Sequence, residues 1–218
     1  QSKGALENLL NNDLFKPLVC DLASEDEVYK SMNIIQKEAQ SIDALIACAG
    51  ILRLGELSQM SIKDFDLIFN VNVRGLWLSV SQSMPMLKNA SKNSGTARIV
   101  LLSSVSALRP KINSGAYSAS KAAVSQLTRV LAVECAKDNI LVNAIAPGTV
   151  DTPMVREQSS PDKQGNWRPS GPSPLGRISN PDDIVKVIKF LLDDNSSYVT
   201  GTTIPVDGGT QAAFIPPI

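Results

Sequence analysis

Residues 97–121 read ARIVLLSSVSALRPKINSGAYSASK, and the order of residue types within them decides the fold. Ile99 to Leu102 close an apolar, β-branched run with the character of a strand. A loop rich in Ser, Gly and Pro follows, and a helix is expected from about Tyr117. Tyr117 and Lys121 lie four residues apart, so they share one helix face. A free Tyr has a pKa of about 10, too high for proton transfer near neutrality, and an adjacent ammonium favours the phenolate. Ser104, just past the strand, is placed to hydrogen-bond a substrate oxygen that faces the phenol.

Strand and helix alternate outward from this stretch. Residues 4–12 read as the tail of a helix, and Lys16 to Cys20, ending at Asp21, as a short buried strand. Ser24-Glu-Asp-Glu27 has the capping-box pattern and opens a helix with Val28, Met32, Ile35 and Ala39 on its apolar face. Ile42 to Cys48 is an apolar strand ending in Ala49-Gly50. Ser61 caps a long helix expected to reach about Met84, with Pro85 near its end. Tyr117 to Lys137 is a helix, and Ile140 to Ala146 a strand stopped by Pro147-Gly148. Pro153, Pro161, Pro169, Pro172 and Pro174 break up residues 150–180, which read as a long functional loop. Asn180 caps a helix with Pro181 at its first position, running to about Leu192. Thr203 to Val206 is the last strand.

Near-continuous apolar strands alternating with helices imply an α/β fold, a parallel sheet covered on both faces. Ligands of such sheets bind beyond the carboxyl ends of the strands. Cys48-Ala49-Gly50, Ser103-Ser104 and Pro147-Gly148 all stand at such ends, so they are expected to line one crevice with Tyr117.

Composition narrows the chemistry. The 218 residues are 43% apolar and fit one domain spanning 1–218. Lys and Arg total 21, as do Asp and Glu, which gives no sign of a nucleic-acid or anionic-membrane surface. Cys20, Cys48 and Cys135 form no CxxC and read as small buried residues of a reducing cytoplasm. Histidine is absent. That removes the Ser-His-Asp triad and His-ligated zinc, and no metal site is expected. Trp77 reads as a core or subunit contact. Trp167 reads as a lid or partner contact.

These residues resemble the short-chain dehydrogenase/reductase family. The resemblance runs in order through Asp21, Ala47-Cys48-Ala49-Gly50 (where the family usually has Asn-Asn-Ala-Gly), Asn70-Val-Asn72-Val-Arg-Gly75, Ser104, Tyr117-Ser-Ala-Ser-Lys121, Asn143-Ala-Ile-Ala-Pro147-Gly148 and Val206-Asp-Gly-Gly209. It implies a Rossmann-like doubly wound sheet, NAD or NADP as cofactor, and hydride transfer between an alcohol and a ketone. Tyr117 would be the general acid/base and Ser104 would orient the substrate oxygen. Lys121 would lower the Tyr pKa and hold the nicotinamide ribose, and Asn72 would hold a water of a proton relay. Asp21 and Leu22 would meet the adenine. Ala49, Gly50, Pro147 and Gly148 would border the cofactor, and Val150 and Thr152 would face the carboxamide. The family's opening strand, TGxxxGxG turn, helix and second strand are not found. The fold is therefore read as N-terminally truncated, by roughly 40 to 50 residues of the dinucleotide-binding pattern.

Ile42-Asp-Ala-Leu, Ala49-Gly-Ile-Leu-Arg53-Leu-Gly55, Thr149-Val-Asp-Thr152-Pro-Met154 and Pro174-Leu-Gly-Arg-Ile178 also resemble 2,3-dihydro-2,3-dihydroxybenzoate dehydrogenases. That implies a dihydrodiol carboxylate as substrate, with Arg53 or Arg156 meeting the carboxylate. The other reading is a non-catalytic relative that binds or regulates and has lost its cofactor. The family also implies a homotetramer or homodimer, and the apolar tail 214–218 would suit a subunit contact.

Overall fold

The computed structural model describes residues 12, 14–157 and 173–213. Four strands, β1 (Ala44–Ala47), β2 (Ala97–Leu102), β3 (Ile140–Pro147) and β4 (Thr203–Val206), form one sheet in the order β1-β2-β3-β4. Every neighbouring pair is parallel, with Ile46 opposite Val100, Val100 opposite Asn143 and Ile145 opposite Ile204. All four carboxyl ends therefore point the same way.

Alternation along each strand divides the core into two layers. Ile99, Leu101, Val142 and Ala144 face α3 (Leu76–Ser94) and α4 (Gly115–Cys135), packing on Leu76, Val80, Leu87, Val124 and Leu131. Val100 and Ile145 face the opposite way, onto Ile184, Ile188 and Leu191 of α6 (Pro181–Leu192). The α1 helix (Glu25–Glu38) lays Val28 and Met32 against Leu78 and Met86 of α3. Helices on both faces of a parallel sheet are the architecture expected of the sequence.

The helix starts follow their caps. Ser24 Oγ accepts the Glu27 N–H, as its pattern predicts. The carboxylate of Glu27 does not return to Ser24; it accepts the Asp21 N–H at 2.7 Å. Asn180 and Asp183 close a full reciprocal capping box behind Pro181.

Three expectations need correction. The Lys16–Cys20 segment forms no strand; Leu18 is 43% and Val19 96% exposed. An apolar run becomes a buried strand only beside a ladder partner, and none among the described residues lies against it. The long helix from Ser61 is neither continuous nor ended by Pro85. It comprises α2 (Ile62–Phe69), a π-helical turn over Asn70–Gly75, and α3, which runs through Pro85 to Ser94 and stops at Gly95 with φ +87°. Proline removes one helical bond and disturbs the preceding turn. There Gln36 Nε2 donates to the Gln82 carbonyl at 3.2 Å. The third correction concerns the cysteines: all three are free, yet only Cys135 is buried, while Cys48 is exposed.

The long loop after β3 holds a short helix, α5 (Pro153–Glu157), and a bridge from Val150 to Ser179. The expectations for residues 4–11, Trp167 and the tail 214–218 fall outside the described residues. Among the described residues no helix is long and apolar enough to cross a membrane.

Candidate active site

The Ser-rich link after β2 ends in α4, whose first turns carry Tyr117 and Lys121. Ser103 and Ser104 are both buried, but they turn to different tasks. Ser103 Oγ donates to the Lys121 carbonyl at 2.9 Å and lies 2.8 Å from Ser125 Oγ, fastening the strand end to the helix. Ser104 Oγ accepts the Ser106 N–H at 3.1 Å, capping the turn Val105–Ala107. Burial pushes the Tyr117 hydroxyl above its ordinary value, and the nearby Ser104 hydroxyl draws it back.

Lys121 is only 4% exposed. Its Nζ donates to the Leu102 carbonyl at 2.7 Å and lies 5.9 Å from the centre of the Tyr117 ring. Burial pulls this ammonium down to about 8, with nearby Cys48 acting in the opposite direction. The expected influence of Lys121 on the phenol is not what opposes burial here; the Ser104 hydroxyl is.

Asn72 is fully buried in the π-helical turn and acts as a clamp. Its Oδ1 accepts the Ile51 N–H at 2.8 Å, and its Nδ2 donates to the Ile51 carbonyl at 3.0 Å and to Ser120 Oγ at 3.1 Å. Ser120 in turn donates to the Tyr117 carbonyl at 2.7 Å. One amide thus ties the segment after β1 to the turn of α4 that carries Tyr117 and Lys121. Both amide protons are used, so any water held by this side chain would donate to the remaining lone pair of Oδ1.

A serine just past the carboxyl end of β2 thus lies with a tyrosine and a buried lysine of α4, residue types that together can handle a proton. A family model described as enoyl-(acyl carrier protein) reductase matches residues 2–211. The chain belongs to the short-chain dehydrogenase/reductase family. Within it, a 3-oxoacyl-(acyl-carrier-protein) reductase of Thermotoga maritima is 36% identical over 193 residues, covering 88% of this chain and 76% of the relative. A 2,3-dihydro-2,3-dihydroxybenzoate dehydrogenase of Escherichia coli is 34% identical over 203 residues, covering 90% and 80%. Among solved structures, the 3-ketoacyl-(acyl-carrier-protein) reductase of Brucella melitensis complexed with NADH superposes with a TM-score of 0.80. It is 28% identical and the match covers 92% of this chain and 80% of that one. The chain is thus an oxidoreductase of a family that acts on CH–OH groups.

Gly50 follows β1, and a Cβ there would stand 3.2 Å from both Asn72 Oδ1 and Lys121 Nζ. Glycine therefore makes room for the clamp and the lysine. At the end of β3 a Cβ on Gly148 would meet Asp207 Cα at 2.9 Å, so that glycine serves the close approach of β3 to β4. Ala49 is exposed, Pro147 half-buried. Val150 and Thr152 are also half-buried, beside the bridge to Ser179; Thr152 Oγ1 lies 3.4 Å from the Val150 carbonyl. Asp21 and Leu22 sit in a turn where Asp21 Oδ1 accepts the Ala23 N–H at 2.8 Å. Arg74 holds that turn by donating to the Ala23 carbonyl at 2.7 Å. A Cβ on Gly75 would come within 2.3 Å of the Leu22 carbonyl.

The two arginines expected to meet a substrate anion differ in their present partners. Arg156 gives its Nε and Nη2 to the two carboxylate oxygens of Asp151 at 2.6 and 2.7 Å. Arg53 is exposed and donates to the Leu52 carbonyl at 3.1 Å. The sequence does not reveal the Arg156 pairing, because an ion pair across five residues of loop carries no periodic signature. Nor does it single out Ser120, whose only visible mark is its place between Tyr117 and Lys121. Asn143, quoted as a motif residue, is structural: its amide donates to the Val199 carbonyl at 2.7 Å and accepts the Thr202 N–H at 3.2 Å.

Proposed function

We propose that this protein interconverts a secondary alcohol and its ketone with NAD or NADP, Tyr117 serving as the general acid/base. The observation that carries the reading is the convergence of Tyr117, the neighbouring Ser104 and the buried Lys121 beside Gly50. The residues present fit the ribose end of such a cofactor. An ammonium has three donors, and the hydrogen bond of Lys121 goes to the Leu102 carbonyl, which leaves donors for the hydroxyls of a sugar. When bound, the nicotinamide supplies or accepts the hydride. Ser104 fixes the substrate oxygen, and Tyr117 gives a proton to that oxygen in reduction or takes it in oxidation. Ala49, Gly50, Pro147, Gly148, Val150 and Thr152 border the cofactor in this reading, with Asp21 and Leu22 on the adenine side. Asn72 holds the crevice in register.

The finer substrate class within this reading is a dihydrodiol carboxylate, which the resemblance to the Escherichia coli dehydrogenase supports. A homotetramer or homodimer working in the cytoplasm accords with the same family. Tyr117→Phe tests the assignment. Turnover of any accepted alcohol should fall by about 10²- to 10⁴-fold, while NADH affinity measured by fluorescence stays within about threefold, since only the proton carrier is removed. A Phe variant that turns over like wild type removes Tyr117 from the chemistry.

A further inference from the structure

A cavity of about 480 Å³ opens beyond the carboxyl ends of β2, β3 and β4, with Val105, the residue after Ser104, in its wall. Its charged lining is Arg109, Lys111 and Arg177 against Asp183 and Asp207. The two carboxylates are engaged elsewhere. Asp183 takes Arg177 in a two-oxygen contact at 2.7 and 3.1 Å and also the Asn180 N–H, which hold its carboxyl down to about 2. Asp207 accepts the N–H groups of Gly209 and Gln211 at 2.9 and 2.6 Å. Arg109 is different. It is half-buried, and its hydrogen bonds go from Nη1 to two neutral acceptors, the Thr210 and Ala213 carbonyls at 2.7 and 2.9 Å. No carboxylate among the described residues pairs with it. Lys111 stands near enough that, after burial, Arg109 is the influence that lowers its ammonium. An arginine at a cavity wall whose hydrogen bonds go to neutral carbonyls is suited to receive an anion.

The distance along the chain suits the chemistry. The Arg109 N–H donates to the Val105 carbonyl at 2.8 Å, so one helical turn, about 6 Å, carries the chain from the Ser104 side to the arginine. The geometry points to Arg109, with Lys111 behind it, as the specificity element that receives a carboxylate on the substrate while the reacting oxygen lies at Ser104 and Tyr117. The substrate class is then a small alcohol or ketone bearing a carboxylate a few bonds from the reacting carbon. This inference rests on the alcohol–ketone reading above.

The test compares isosteres that differ in charge: 3-hydroxycyclohexanecarboxylate, its carboxamide, and 3-hydroxycyclohexyl phosphate, oxidised by the full-length protein with NAD and NADP. The carboxylate should exceed the carboxamide in kcat/KM by about 10- to 100-fold, the range of one charge-assisted contact. Arg109→Gln keeps a donor for the Thr210 and Ala213 carbonyls and removes the charge. It should collapse that ratio toward one, chiefly through KM of the carboxylate. Equal turnover of carboxylate and carboxamide by wild type overturns the inference, as does a ratio unchanged in Arg109→Gln or a preference for the phosphate. If the variant does not fold, KCl is titrated against the wild-type ratio. The ratio should shrink with salt, and a constant ratio overturns the assignment. Turnover of none of the three, nor of cyclohexanol, sinks the alcohol–ketone reading itself, whereas turnover without charge preference sinks the arginine assignment alone.

Discussion

Lys121 donates its buried ammonium to the backbone carbonyl of Leu102 at 2.7 Å, so the last residue of a sheet strand holds the lysine of the helix that carries Tyr117. The contact positions the charge but does not repay its burial, which lowers the ammonium from 10.5 to about 8. Below pH 8 the folded and unfolded chains both carry the proton, and the cost of burying it is fully present. Between about 8 and 10.5 the folded state releases the proton that the unfolded chain still holds, so stability from this group rises with pH. Lys121→Met should therefore melt above wild type at pH 7, with the margin shrinking toward pH 10. A margin that does not change with pH, read by calorimetry, would contradict burial of the ammonium as the cause.

Ser104 is the partner that opposes burial at Tyr117. Removing it in Ser104→Ala should move the phenol further up, so more alkali is needed to form the base. The acidic limb of the pH profile for alcohol oxidation should shift to higher pH, together with a loss of about 10- to 100-fold in kcat from the lost orientation of the substrate oxygen. A limb that stays in place would assign the profile to another group.

The Ile51–Asn72–Ser120–Tyr117 chain predicts graded damage. Asn72→Ala breaks three buried hydrogen bonds and leaves both Ile51 backbone groups without this partner, a loss of about 2–4 kcal/mol in urea unfolding. Ser120→Ala removes the donor to the Tyr117 carbonyl and the acceptor of one Asn72 proton, and should cost about 1–2 kcal/mol. Equal losses would mean that the two residues do not act in the order drawn.

Two glycines flanking one helix should respond for different reasons. Gly75→Ala drives a methyl into the Leu22 carbonyl, 2.3 Å away, and should cost about 1–3 kcal/mol while loosening the turn at Asp21. Gly95 faces open space but holds φ +87°, so Gly95→Ala should cost about 1 kcal/mol through the backbone alone. Chemical denaturation of both, alongside NADH titration, separates them; only the first should change cofactor affinity.

The strand ends and capped helices were legible because they are local. Ala97–Leu102, Thr203–Val206 and the helix behind Asn180 appear where residue periodicity and caps place them. What escaped depends on partners distant in sequence. Lys16–Cys20 has the composition of a strand and finds no ladder neighbour among the described residues. Pro85 reads as a stop, yet the packing of Leu87 and Ala90 against the sheet carries the helix past it. The motif predicted that Tyr117, Ser104 and Lys121 would share a crevice. Which arginine is already spent on an aspartate, and which faces a cavity without one, is decided by loop geometry that no spacing rule encodes.

The π-helical turn at Asn70–Gly75 sets a limit on improving this protein. Deleting one residue there would make a regular helix and, by local criteria, a better one. The wide turn absorbs its extra residue, so α3 would keep its facing, and the change would fall on Asn72, drawn away from Ile51. The three bonds of Asn72 outweigh the regularity such a deletion would gain, so the irregular turn is where this chain gives up regularity to seat one buried amide.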